Sequence, residues 1–362
     1  MITHVLIIGA GAIGLSSALA LALAQTGHRI TLLDRGPAGG ESTWAGAGIL
    51  SSLPPWSYGP EIDGLIRRGS RLWPEWAEQL KRISGLDPEY LPSGMLALDI
   101  ADRATAERWC HDHDWPLAEP PATVSRLIRQ PDQALWLPKV GQLRNPRLAQ
   151  ALRQAVQNLG VDIQSHRAAL NLVFEHGRIA GVATTDGLLR ADIYVLAAGA
   201  WTQTLLGEAS AGLDIHPVRG QILLFKAQPG LLPCIVYRNG QYLVPRADGH
   251  ILAGSTLEFV GYDKNTTEAA HAELLGFAQD VLTELKESTL VRQWAGLRPG
   301  SPKGIPTIAR HPCYDNLYVN SGHFRYGVTM APASAEILAR LIIGTGKSLD
   351  PAPYVWPAQA SG

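Results

Sequence analysis

Residues 5–34 read VLIIGAGAIGLSSALALALAQTGHRITLLD. The opening run, 5–24, carries no charge and is long enough to cross a bilayer. Its character changes along the way. VLII is apolar and strand-forming, GAGAIG is a glycine turn, and LSSALALALA is made mostly of good helix formers. Thr26-Gly27 stops the helix, and RITLLD, 29–34, is a second strand. This is a strand–turn–helix–strand unit with both strands buried and parallel, not a membrane span. A secretory leader would need basic residues ahead of the apolar run, and MITH has none.

Gly9, Gly11 and Gly14 fit the spacing GxGxxG, with Ala12 and Ile13 between the last two. In such a unit the first glycine makes the tight turn. The second lets the backbone approach a pyrophosphate, and the third lets the helix sit close to the strand. The helix N-terminus then offers its free N–H groups to the phosphates. Asp34 ends the second strand, where a carboxylate meets a ribose diol, and Arg35 beside it is expected to stack near the adenine or to be solvated. A dinucleotide is the implied ligand.

Composition narrows the rest. The chain has 362 residues, 46% hydrophobic and 17% charged, which suits two interlocked domains with a large core and argues against disorder. A formal net charge of -1 gives no footprint for nucleic acid or an anionic membrane. Cys110, Cys234 and Cys313 are widely spread and read as reduced, buried thiols of a cytoplasmic protein. Cys110-His111-Asp112-His113-Asp114 resembles a ligand cluster, but adjacent residues cannot all face one ion, so it reads as a solvated helix end with no metal.

Helices are expected at 61–85, 146–159, about 266–286 and about 328–343. Strands are expected in VDIQSH, in a hairpin around His176-Gly177, in DIYVLAAGA and in NLYVNSG, 316–322. Between 216 and 260, apolar alternation with turns at Asn239-Gly240 and Asp248-Gly249 argues for antiparallel sheet. Residues 86–140 read as short strands and proline turns.

GxGxxG alone does not separate NAD from FAD. STWAGAGI, 42–49, follows the first unit; Ser42 and Thr43 can donate hydroxyls to pyrophosphate or ribitol, and the small Ala45–Gly48 run, with Ala47 and Gly48 at its end and Ile49 next, lets backbone lie against a flat ring. YVLAAGAWT, 194–202, ends a buried strand at Gly199, a second close approach to the dinucleotide. Together these resemble the FAD-binding pattern of the glycine oxidase/D-amino acid oxidase family. Further segments are similar to bacterial members: QLRNPRL (142–148), PVRGQILLF (217–225), QYLVPRADGHILAGSTLE (241–258), GYDK (261–264), WAGLRPG (294–300) and GHFRYG (322–327). The similarity spans essentially the whole chain.

The resemblance implies a Rossmann-like FAD-binding domain (1–85, 141–215 and 295–362) interleaved with a mixed, largely antiparallel substrate domain (86–140 and 216–294). It implies non-covalent FAD, since no cysteine lies in the segment that carries the flavin link in sarcosine oxidases. Arg298 would hold the substrate carboxylate in a bidentate pair, Tyr242 would hydrogen-bond it, Leu257 would line the pocket, and Arg325 would reach the carboxylate or the flavin carbonyl. Without the resemblance, Arg298 is either a strand-end snorkeller or an anion anchor. The other cofactor contacts implied are Ala169, His323, Phe324, Tyr326, Gly327, Val328 and Thr329. Tyr326 replaces the family's usual Asn, and Gly240 stands where some relatives carry His. The activity implied is hydride transfer from glycine, sarcosine or a small D-amino acid to flavin, with O2 as acceptor and a role in thiazole assembly for thiamine. A quinone-linked D-amino acid dehydrogenase and a non-catalytic flavin-binding partner are the alternatives. A homo-oligomer is expected.

Overall fold

The computed structural model describes residues 2–346 and 348–357; Met1, Lys347 and 358–362, which belong to the expected segments 1–85 and 295–362, lie outside them. The apolar run at the N-terminus is largely buried, fully so in strand residues Val5–Ile8, and opens to solvent only toward Ala24. His4–Ile8 pairs in parallel with Arg29–Leu33 on one side and with Ile193–Leu196 on the other. Asp162–Gln164 extends this sheet past Arg29–Leu33. Leu317–Ser321 and the antiparallel edge strand Thr307–Arg310 extend it the other way, giving six strands.

Strand alternation divides the first strand between two cores. Val5 and Ile7 pack toward helix Ala12–Leu23 and its neighbours Pro60–Ser84, Asn145–Asn158 and Gly327–Ile343. Leu6 and Ile8 pack toward a three-stranded meander, Ala169–Glu175, Arg178–Thr184 and Gly187–Leu189. Ala12–Leu23 spans only about 18 Å at 1.5 Å per residue. Among the described residues, no helix is long and apolar enough to cross a membrane.

The second sheet has seven strands, in the order Thr289–Gly300, His216–Lys226, His250–Gly254, Gln241–Pro245, Ile235–Arg238, Met95–Leu98 and Leu135–Leu137. All its pairs are antiparallel except Ile235–Arg238 with Met95–Leu98. Asn239 and Gly240 both take positive φ, the two-residue turn that such hairpins favour. Helix Glu268–Val281 closes a separate core with Leu274 and Phe277. The fold is thus the expected pairing of a Rossmann-like sheet with a mixed, mainly antiparallel one. Thr289–Gly300 runs unbroken through residue 295.

Two differences from the sequence reading have local causes. The region 86–140 contains a helix, Arg103–Asp112, started by Asp102, whose carboxylate accepts from the Thr105 N–H at 3.0 Å. The CHDHD segment is the end of that helix: His111 is exposed, whereas His113 stacks on Trp109. Cys110 and Cys234 are buried as expected, but Cys313 is exposed, because it sits in the turn between the edge strand and Leu317–Ser321.

Candidate active site

A cavity of about 930 Å3 begins at the C-terminal ends of the parallel strands and reaches the face of the seven-stranded sheet. That is where open α/β sheets bind ligands, and the volume is at the upper end of ordinary ligand sites. Its wall at the parallel-sheet end contains Gly9, Gly11, Ala12 and Ile13. Gly9 takes φ +106°, and any Cβ there would overlap the carbonyl of Ala197. The GAGAIG and AAGA segments therefore touch. A Cβ on Gly14 would overlap the Gly9 carbonyl oxygen, so Gly14 serves helix–strand packing and is not in the wall.

Asp34 is held by two backbone donors: its Oδ2 accepts from Ala10 N–H at 2.8 Å and its Oδ1 from Gly36 N–H at 2.9 Å. Burial raises its pKa, and the two N–H groups and Arg35 work against that rise. Each oxygen keeps a lone pair for a hydroxyl. Arg35 lines the cavity, but its planar face lies 3.6 Å over the ring of Trp201, and its charge pairs with Glu41 at 2.8 Å. Its side chain is 44% exposed, so it is solvated, and the face that lies on Trp201 is not open to a base. Lys264 of GYDK also reaches Glu41, at 3.2 Å, and Tyr262 stacks on the same Trp201 ring.

Ser42 and Thr43 both line the cavity but differ in what they can offer. Thr43 accepts from the Ala12 N–H at 2.8 Å, which leaves its own O–H free to donate. Ser42 donates to the Leu297 carbonyl, so its proton is already used. Ala47, Gly48 and Ile49 form the next stretch of wall. The glycines there answer first to protein: a Cβ on Gly48 would overlap the Leu143 carbonyl, and one on Gly46 would lie 2.7 Å from Asn145 Nδ2. Arg246 fixes this loop from behind, donating to Ala47 O (2.7 Å), Gln142 Oε1 (2.6 Å) and Leu143 O (3.0 Å). Burial lowers its pKa to about 10. Nothing in PRADG marked this arginine, because all its partners lie elsewhere in the chain.

At the far end, Arg298 and Tyr242 share the wall with Ser255. The guanidinium of Arg298 donates from Nη1 to Thr256 O (3.1 Å) and Arg219 O (3.3 Å), and from Nη2 to Ser255 Oγ (2.7 Å). Among the described residues it has no carboxylate partner within ion-pair distance. Desolvation lowers its pKa, and the neighbouring Tyr242 works in the opposite direction. A half-buried cation served only by neutral oxygens, with spare donors on a cavity, is built to receive an anion. Arg325 lines the same region, with Nη2 3.4 Å from Gly240 O.

His323, Phe324, Tyr326, Gly327, Val328 and Thr329 lead into the last helix, and all are in the wall, as are Ala169 and Gly199. Burial takes the His323 pKa down to about 3, so the imidazole is neutral. Its Nε2 is 2.9 Å from Ser334 Oγ, while Nδ1 is buried and has no partner among the described residues. Tyr326 is buried; its hydroxyl accepts from Leu53 N–H at 3.1 Å and shares a hydrogen bond with Tyr58. Leu257 does not line the cavity. The chain leaves the sheet after Gly254, Arg219 and Gln221 tie down Glu258, and Leu257 turns outward, 47% exposed.

The wall suits a flavin dinucleotide: a glycine cradle, a helix N-terminus, a carboxylate with free lone pairs, and the orphaned His323 Nδ1. The sequence model of the family described as "FAD dependent oxidoreductase", DAO, matches residues 4–341. The chain belongs to the DAO family of FAD-dependent oxidoreductases. This flavoenzyme is 42% identical to a glycine oxidase of Pseudomonas aeruginosa over 98% of each chain. It is 33% identical to a bifunctional protein ThiO/ThiG of Synechocystis, covering 94% of this chain and 52% of that one. The crystal structure of glycine oxidase from Geobacillus kaustophilus superposes with a TM-score of 0.87 at 25% identity, covering 99% of this chain and 100% of that one. None of the oxidoreductase's three cysteines lies in the cavity wall.

Proposed function

We propose that the enzyme oxidises glycine, and with it sarcosine and small D-amino acids. The unpaired guanidinium of Arg298 at the inner end of the cofactor cavity carries this reading. A planar cation with two N–H groups to spare matches a carboxylate, and Tyr242 adds a hydroxyl beside it. Arg325 supplies a second positive charge at the same end. A carboxylate held at both oxygens fixes where the α-carbon sits, and the requirement that its hydrogen face the flavin sets the remaining torsion, so positioning supplies most of the rate. FAD, when bound by these residues, would supply the two-electron acceptor for the α-hydride, with O2 as the final acceptor and hydrogen peroxide as its product. The amine gives up a proton as the imine forms, and water converts the imine to glyoxylate and ammonia. The imine is also suited to thiazole assembly for thiamine, a role supported by the ThiO/ThiG name of a relative.

The residues proposed to hold non-covalent FAD are Gly9, Gly11, Ala12, Ile13, Asp34, Thr43, Ala47, Gly48, Ile49, Ala169, Gly199 and 323–329. We assign 1–85, 141–215 and the chain from 295 to the cofactor half, and 86–140 and 216–294 to the substrate half.

The test is oxygen uptake and peroxide formation with glycine, sarcosine, D-alanine and L-alanine under one set of conditions. Turnover of glycine without turnover of L-alanine is expected. L-alanine oxidised as fast as D-alanine would overturn the substrate pose. Substrate-dependent reduction of a quinone, with no oxygen uptake from any of the four, would favour a dehydrogenase.

A further inference from the structure

Arg298 stands opposite Val218 in the pairing of Thr289–Gly300 with His216–Lys226. Its side chain leans along the sheet to the diagonal neighbour, Gly220, and the guanidinium fills the space beside that residue. A Cβ built on Gly220 would overlap Nη1, Nη2 and Cζ of Arg298 together. The residue facing Gly220 is Gly296, where a Cβ would stand 2.5 Å from Ala45 Cβ in the cavity wall. The same arrangement recurs under Tyr242. Its cross-strand partner is Gly254, and a Cβ there would lie 2.8 Å from the Tyr242 hydroxyl. Both members of the clamp thus lie on bare backbone.

We infer that Gly220 is a positioning residue that sets the depth at which Arg298 meets the substrate carboxylate. This rests on the anchor role proposed for Arg298. The guanidinium is held by Thr256 O, Arg219 O and Ser255 Oγ, and its Nη1, Nη2 and Cζ occupy the space that a side chain at Gly220 would take. The three atoms nearest to a methyl group at Gly220 all belong to the far end of a flexible side chain, not to backbone. The fold therefore survives, while the planar group is lifted or tilted away from its acceptors. A displacement on the ångström scale costs on the order of 100-fold in a reaction that depends on orientation.

The experiment is a double-mutant cycle on the FAD-loaded enzyme with Gly220→Ala, Arg298→Ala and both. Gly220→Ala is expected to keep its flavin content and to lose about 10- to 100-fold in kcat/KM for glycine, mostly in KM. The dissociation constant of acetate, read from the change in flavin absorbance, should weaken in parallel. In the Arg298→Ala background, adding Gly220→Ala should change neither quantity by more than about twofold, because the group it displaces is gone. Multiplicative effects would overturn the inference, as would wild-type behaviour of Gly220→Ala. A Gly220→Ala variant that loses FAD or fails to fold would assign Gly220 to packing and overturn it as well. If Arg298→Ala itself leaves KM and acetate binding unchanged, the anchor role fails, a different result from a silent Gly220→Ala beside a damaged Arg298→Ala.

Discussion

Replacing Arg298 by lysine keeps the charge, and a count of donors says it still fails. A guanidinium has five N–H donors. Three are directed at Thr256 O, Arg219 O and Ser255 Oγ, so five minus three leaves two for a carboxylate. A lysine ammonium has three donors in all, and the same acceptors claim three. Arg298→Lys should therefore lose both bonds to the substrate while retaining most of the electrostatic attraction. Two hydrogen bonds to a charged group contribute roughly 3–6 kcal/mol together. The remaining charge attraction places Lys at the low end, about 3 kcal/mol or roughly 150-fold in kcat/KM. Arg298→Ala loses the charge too and should reach about 5 kcal/mol, some thousands-fold. The assay is steady-state oxygen consumption over a glycine range wide enough to separate kcat from KM, with bound flavin measured on each sample. A lysine variant within about threefold of wild type would refute the donor count.

Gly14→Ala should strip the enzyme of flavin and lower its melting temperature, since the new methyl meets the Gly9 carbonyl and overpacking costs about 1–3 kcal/mol; flavin absorbance and a thermal melt check this. Because burial holds His323 at about 3, below the ordinary 6.5, the unfolded chain binds a proton that the folded one refuses between those values. Stability should thus fall as pH drops through 6.5 and keep falling toward 3. His323→Asn should flatten that slope in urea midpoints between pH 7.5 and 5, and identical slopes would refute the assignment. Of the three thiols, Cys313 alone should react with a disulfide reagent in the native enzyme; burial raises Cys110 to about 11 and Cys234 to about 12, and all three should titrate after denaturation.

What was legible in the sequence was local. The strand–turn–helix–strand unit is encoded within thirty residues by burial, glycine spacing and Asp34. The hairpin at Asn239-Gly240 is encoded by two residues that tolerate positive φ. What was not legible depends on partners far along the chain. Ser42 has the same chemistry as Thr43, yet its hydroxyl is taken by Leu297, and only the tertiary fold brings them together. Arg246 looks like any turn arginine until Ala47 and Leu143 arrive around it. Leu257 was placed in the pocket by a similarity that fixes its sequence position, while its direction depends on where the chain leaves the sheet. Cys313 shows the same limit: burial belongs to the turn it occupies, not to the residue type.

The parallel sheet carries a consequence for how the molecule assembles. Residue 5 pairs with residue 193, and residue 196 with residue 319. Each contact closes a very long loop, and chains dominated by such contacts fold slowly and through partly ordered intermediates. The wall segment 323–329 follows directly on the strand that makes the second closure. Helices can form early, but the cradle for the dinucleotide is complete only when the last sixth of the chain has docked. Recapture of free FAD during refolding, followed by quenching of its fluorescence, should lag the recovery of helical circular dichroism, so the cofactor times the end of folding.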